Sequence, residues 1–195
     1  MSTLSKPINN IVAYELFGII GHGTKMPGWD VTDDFKLNFV PKTKGCPLIM
    51  GSITAMTLGR PLKGRVCIVL TRDKDKATSK ELAEKGFIVT DDPWEAIMIA
   101  QKSPGETIWV IGGGQIYQWF RENVPPKEIH ITKIMGTYRS KEQDEIKFCG
   151  FPNDQYSIDP SRTLYFKKRP CCADGQSADK GNSDDALVEV YIREY

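Results

Sequence analysis

The chain has 195 residues, 26 Lys and Arg against 25 Asp and Glu, a net charge of +1 with neutral histidines, and 40% hydrophobic residues. This length suits a single domain over 1–195 with a full core. The balanced charge speaks against a nucleic-acid binder, which carries a basic excess, and no apolar run reaches the ~18 residues of a membrane span.

The first residues, MSTLSKPINN, show neither an h-region nor a cleavage site, so a cytoplasmic location is expected. Five cysteines with no C-x-x-C favour neither a disulfide framework nor a zinc site. The two histidines are too few for a multi-histidine metal site, and no metal is expected. His130 reads as a solvent-facing strand residue, and His22 as an exposed loop residue.

In chain order, INNIVAYE reads as a buried strand and GIIGHGTKMPGW as a glycine-rich loop. VTDDFKLNFV reads as a short helix capped by Thr32 and stopped by Pro41. CPLIMG is a strand, SITAMTLG a helix ended by Gly59, and VCIVLTR a central strand. SKELAEKG is next, a helix with a Ser cap and a Gly stop, then FIVT as a strand. DDPWEAIMIAQK is a helix with Pro93 in its first turn. TIWVIGG, GQIYQWFREN and EIHITKI read as strand, helix and strand. The stretch 141–156 reads as a loop. TLYFKK and LVEVYIREY close the chain as two strands around a mobile polar loop, 171–186, that holds Cys171 and Cys172. The alternation predicts an α/β fold: a mixed, mostly parallel sheet flanked by helices, with a C-terminal antiparallel hairpin.

Three glycines in VIGGGQIY come after a strand and open a helix. Such a junction is either a plain turn or a cradle where backbone N–H groups meet an anion. The spacing matches neither a G-x-G-x-x-G nor a Walker A pattern. Thr71 and Arg72 end a central strand, where ligands of open α/β sheets bind, and Arg72 could pair with a phosphate or merely sit in a surface ion pair. Ser52 and Thr54 begin another helix. Of the acids in WDVTDDF, one set beside Phe35 and Phe39 would be desolvated and suited to proton chemistry; the others fit helix-end roles.

MPGW with DDF, PLIMGSIT, LGRPLKGR, VLTRD and VIGGGQIY occur in the order and spacing of dihydrofolate reductase, and the chain resembles that family from Ile8 to Ile134. The resemblance implies NADPH as cofactor, dihydrofolate as small-molecule substrate, and hydride transfer with carboxylate-assisted protonation at N5 to give tetrahydrofolate. No nucleic-acid or membrane partner is expected, and a monomer is. The acid it implies is Asp34, with Asp33 as runner-up, assisted by Thr132, and with Trp29 in a lid running from Gly21. For substrate it implies Ile11, Ala13, Phe35, Phe39, Leu58, Leu62, Ile111 and Tyr117, and Arg65 for the glutamate carboxylate. For cofactor it implies Ala13, Ile20, Gly21, Gly51, Ser52, Thr54, Leu70, Thr71, Arg72 and Ile111. Gly112, Gly113, Gly114, Gln115, Ile116 and Tyr117 complete that set, with a cis Gly112–Gly113 peptide.

The chain departs from the family in four places. Gly28 is an extra residue before Trp29. One more residue than usual separates Asp34 from Thr43, which leaves open whether Asn38 or Phe39 faces substrate. Ser52 replaces a basic residue, so selectivity for NADPH would rest on Arg72. QDEIKFCG replaces the usual turn ahead of the last hairpin. Two other readings are a pyrimidine reductase of riboflavin synthesis and a non-catalytic folate- or nucleotide-binding module. The first gives no reason to keep PGW and DDF together with GRPLKGR, and the retained acid argues against the second.

Overall fold

The structure is a computed structural model that describes residues 5–23, 25, 28–138, 145–152, 154–169 and 182–194. The expectations for Met26 and Pro27 of the lid, for Cys171 and Cys172, and for most of the loop at 171–186 lie outside these residues. The chain divides into two units, Met1–Ile11 with Thr43–Lys127, and Val12–Lys42 with Glu128–Tyr195.

The first unit is a parallel sheet. Strand β1, Ile8–Glu15, contributes its first half, joined by β3 (Leu48–Gly51), β4 (Cys67–Leu70), β5 (Ile88–Thr90) and β6 (Ile108–Val110). The order is β1-β6-β3-β4-β5, with Ile8 opposite Ile108, Leu48 opposite both Trp109 and Cys67, and Ile68 opposite Ile88. Parallel strands covered on both faces need unbroken apolar runs. Leu48, Ile49, Met50, Ile68, Val69 and Val110 are accordingly buried. Helices α2 (Ser52–Leu58), α3 (Ala77–Glu84), α4 (Pro93–Lys102) and α5 (Gly114–Asn123) connect the strands and pack on them. Pro93 fills the first turn of α4, and the Asp92 carboxylate caps it by accepting from Trp94 N at 2.8 Å. Gly59 ends α2 in the left-handed region, φ +72°.

The second unit holds the antiparallel part. Strand β7 (Glu128–Ile134) pairs with β11 (Ala186–Arg193), and β11 pairs in turn with β10 (Leu164–Phe166) and β9 (Tyr156–Ile158). Val31, Ile134, Phe166, Ala186 and Val188 form its core, with Trp29 and Tyr138 packed on them.

Several expectations are corrected. The glycine-rich loop contains strand β2, Ile19–His22, which pairs with β8, Glu145–Lys147; a partner so remote in sequence leaves no local signal. The stretch read as a loop at 141–156 accordingly contains β8 and the start of β9. Helix α3 starts at Ala77 after Lys76, and Ser79 is buried inside it, its hydroxyl donating to the Asp73 carbonyl at 2.7 Å. Thr32 lies within its helix, whose first bond runs from Phe35 N to Val31 O at 3.2 Å. Pro41 does not stop that helix. Helical backbone runs on through the segment Asp34–Phe39 into α1, Val40–Thr43, with Pro41 inside it. His130 is buried, because β7 has residues covered on both faces. His22 is buried too, with Nε2 2.8 Å from the Tyr138 carbonyl.

Candidate functional site

Two groups of residues carry chemistry, one in each unit. In the first unit the parallel strands β6, β3 and β4 bring their carboxyl ends to one edge. Gly51, Leu70 with Thr71 and Arg72, and Ile111 to Gly113 stand there. Gly51 N donates to Gly112 O at 2.7 Å, and Ile111 N donates to Ile49 O at 3.0 Å. The Gly112–Gly113 peptide is cis, and Gly112 has φ +120°, which only glycine adopts freely. A Cβ at Gly51 would stand 3.2 Å from Ile116 Cγ1, and one at Gly112 would stand 3.5 Å from both Thr54 Oγ1 and the Tyr117 hydroxyl. Glycine at these places keeps the backbone bare.

Helix α5 then begins at Gly114 with no side-chain cap, so its first N–H groups point outward, ready for an anion. Ser52 and Thr54 lie in the first turn of α2, half-buried. Arg72 is exposed and donates to Gln115 Oε1 at 2.7 Å; its partner is a neutral amide rather than the acid of a surface ion pair. The Thr71 hydroxyl is 3.2 Å from Ser79 Oγ. Bare backbone, a free helix start and a nearby guanidinium form a donor set that fits the phosphates of a dinucleotide. Tyr117 is buried and its hydroxyl donates to Ile11 O at 2.6 Å.

The same unit holds Arg65. Its Nε donates to Thr43 O at 3.1 Å and Thr43 Oγ1 at 3.0 Å, and its Nη1 donates to Lys63 O at 3.1 Å. These bonds fix the direction of the guanidinium plane. Leu58 and Leu62 are half-buried.

The acid group is in the second unit. After Thr32 and Asp33 the helix widens into a π-helical segment, Asp34–Phe39, closed by a bond from Val40 N to Phe35 O. A π-turn accommodates one residue more than an α-turn, which would take up the extra residue expected before Thr43. The widening settles how Asn38 and Phe39 are placed. Asn38 is fully buried, whereas Phe39 stacks on the half-exposed Phe35, ring centroids 5.5 Å apart.

Asp34 Oδ1 accepts from the Thr132 hydroxyl at 2.7 Å and from Asn38 Nδ2 at 2.8 Å. Burial pushes its carboxyl above the usual 3.8, while these two donors and the Lys42 charge pull it back. Asp33 is different: Arg169 and Asn182 hold both of its oxygens. Nearby, Glu128 receives both Arg162 Nη atoms, at 3.0 and 2.9 Å, and His130 Nε2 at 2.8 Å. The hydrogen bond from His130, then those from Arg162, outweigh partial burial and hold the Glu128 carboxyl at about 2. Burial pushes His130 below its ordinary value. Trp29 meets Tyr138 edge-on at 5.5 Å. Ala13 and Ile20 are half-buried, Ile11 and Gly21 buried.

Sequence reasoning missed Asn38 and Lys42 as neighbours of the acid. Both come after it at steps of four residues, the spacing that stacks side chains on one helix face. It also missed the Glu128, His130 and Arg162 group, whose third member is remote in sequence.

The dihydrofolate reductase family model matches residues 7–160. A dihydrofolate reductase of Haemophilus influenzae is 33% identical over 125 residues, covering 64% of this chain and 69% of that protein. A putative dihydrofolate reductase of Caenorhabditis elegans is 30% identical over 149 residues, covering 69% of this chain and 75% of that protein. Among solved structures, a dihydrofolate reductase of Enterococcus faecalis complexed with NADP(H) and RAB-propyl is 26% identical, covers 98% of both chains and superposes with a TM-score of 0.73. With the glycine junction and the Thr132-bound acid in place, and most of its length matched, the chain belongs to the dihydrofolate reductase family.

Proposed function

We propose that this chain reduces 7,8-dihydrofolate to 5,6,7,8-tetrahydrofolate with NADPH, and that Asp34 is the acid of the reaction. The observation that carries the assignment of the acid is the half-buried Asp34 carboxylate, bonded by Thr132 from β7 while its neighbour Asp33 is occupied by Arg169. NADPH, when bound, supplies the hydride. Everything else falls to the chain. Asp34 accepts the N–H donors of the pteridine ring, and its negative charge favours a proton at N5. Thr132 holds the carboxylate in place. Ile11, Ala13, Phe35, Phe39, Leu58, Leu62, Ile111 and Tyr117 give the substrate apolar walls, and Arg65, held by Thr43, receives the substrate's carboxylate through its fork of donors.

The glycines 112–114 with Gln115, Ile116 and Tyr117 hold the cofactor's pyrophosphate side, assisted by Gly51, Ser52 and Thr54. Leu70, Thr71 and Arg72 receive its adenosine phosphate. Ala13, Ile20, Gly21 and Ile111 border the nicotinamide, and Trp29 belongs to a lid that excludes water there. The protein works as a monomer in the cytoplasm with small-molecule partners; its balanced charge supports leaving nucleic acid out of those partners. Among the described residues no helix is long and apolar enough to cross a membrane.

The test is NADPH oxidation measured by absorbance. Consumption is expected only when dihydrofolate is added. A flat trace with active protein controls would remove the assignment.

A further inference from the structure

Asp34 is one end of a chain of three side chains. Asn38 Nδ2 donates to Asp34 Oδ1 at 2.8 Å, and Lys42 Nζ donates to Asn38 Oδ1 at 2.6 Å. Thr132 places its hydroxyl proton on the same Asp34 oxygen, so both bonds from the described residues fall on Oδ1. An ammonium can only donate. It therefore fixes the Asn38 amide, carbonyl toward Lys42 and NH₂ toward Asp34. Because Asn38 is fully buried, a flipped amide would leave polar atoms without partners.

We infer that Asn38 and Lys42 are positioning residues for the reduction: together with Thr132 they occupy Oδ1 of Asp34 and leave Oδ2 for the pteridine. The inference rests on the assignment of Asp34 as the acid.

The same donors govern the ionisation of Asp34. Burial raises its carboxyl, and Thr132, Asn38 and Lys42 oppose that. The remaining charges around the relay largely cancel. Glu128 of β7 is paired with Arg162 of the 3₁₀ turn Pro160–Arg162, and buried His130 beside it is held toward its neutral form. Asp33 is paired with Arg169. Lys42 is half-buried; burial and Arg162 lower its pKa, while Asp34 and Glu128 raise it. Of the charges around it, Lys42 is the one that acts on Asp34.

Single-turnover hydride transfer, measured with NADPH and dihydrofolate across pH, tests this. Protonation at N5 becomes harder as pH rises, so the wild-type rate falls through the midpoint of N5, which the negative charge of Asp34 raises. Lys42→Met and Asn38→Leu are expected to move that midpoint upward by about half a pH unit or more, because each removes a donor that offsets the Asp34 charge felt at N5. Lys42→Arg keeps the donor and is expected to restore it. In an Asp34→Asn background, Lys42→Met is expected to move nothing. Rates lowered equally at every pH, with the midpoint unmoved, would overturn the inference.

Infrared titration of the Asp34 carboxyl in the folded, ligand-free protein gives a second readout. The same upward shift is expected in Lys42→Met, and an unmoved carboxyl there overturns the relay whatever the turnover. A shift seen there in a protein that does not reduce dihydrofolate would instead leave the relay standing and overturn the assigned reaction.

Discussion

Arg169 closes on the carboxylate of Asp33, Nη2 to Oδ1 at 2.6 Å and Nε to Oδ2 at 3.2 Å, and Asn182 adds Nδ2 to Oδ2 at 2.8 Å. Asp34, one residue on, takes its direct hydrogen bonds from the neutral groups of Thr132 and Asn38. Adjacent acids thus have opposite characters: one is neutralised by an ion pair, the other is desolvated and takes both of its bonds on one oxygen. Asp34→Asn is expected to slow hydride transfer by about two orders of magnitude or more, worst at high pH, with NADPH binding intact. Asp33→Asn is expected to cost about 1 kcal/mol of stability and little rate. If the kinetic loss tracks Asp33 instead, the acid lies one residue earlier.

Asp34 also affects stability. Its folded pKa is raised above 3.8, chiefly by burial. As pH climbs past 3.8 the unfolded chain releases that proton first, so the folded state loses stability until the folded pKa is passed. Asparagine has no proton to lose. Asp34→Asn is therefore expected to melt above wild type at neutral pH, with the gap closing below 3.8. Calorimetry at both pH values checks this; a gap that stays constant contradicts it.

Glu128 has the opposite sign. Held at about 2 against an ordinary 4.5, it stabilises the fold above 4.5 and ceases to as pH falls through about 2. Glu128→Gln is expected to cost about 2 kcal/mol at neutral pH, because Arg162 and buried His130 lose the charge and one of the two oxygens that accept from them. Urea melts should show wild type and variant converging in acid, and equal gaps at all pH values would argue against the ion group.

Arg65 is oriented by Thr43 and Lys63. Arg65→Leu is expected to raise the KM for dihydrofolate at least about tenfold, as loss of a charge-assisted bidentate pair should, with NADPH affinity little changed. Equal weakening of both ligands would contradict the role.

Arg72 is exposed and bonded to Gln115. With Ser52 offering no charge, Arg72→Ala is expected to cut the preference for NADPH over NADH by about tenfold or more. Parallel assays with the two cofactors measure it, and an unchanged ratio would refute it.

The parallel strands and α4, α5 and β7 were legible because their apolar runs and end signals are local. Pro93 after Asp92 marks the start of α4, and the glycines mark the start of α5. The pairing of β2 with β8 was not, since neither segment carries a pattern that names its partner. His130 read as exposed because alternation along β7 says nothing about what covers each face. At the site, the family motifs singled out Asp34, Thr132, Arg65 and the glycines. They left Asn38 open against Phe39 and did not single out Lys42, although both follow Asp34 at steps of four residues. Nor could local sequence announce that Arg169 and Asn182, from the last hairpin, occupy Asp33.

The π-helical segment makes this region sensitive to frame. An α-helix advances about 100° per residue, so deleting one residue between Asp34 and Lys42 would let the turn tighten and rotate the side chains beyond the deletion by about that angle. The chemistry of each residue would survive while its address changed. A segment altered by one deletion in this way would present a different wall and give Asp34 different neighbours.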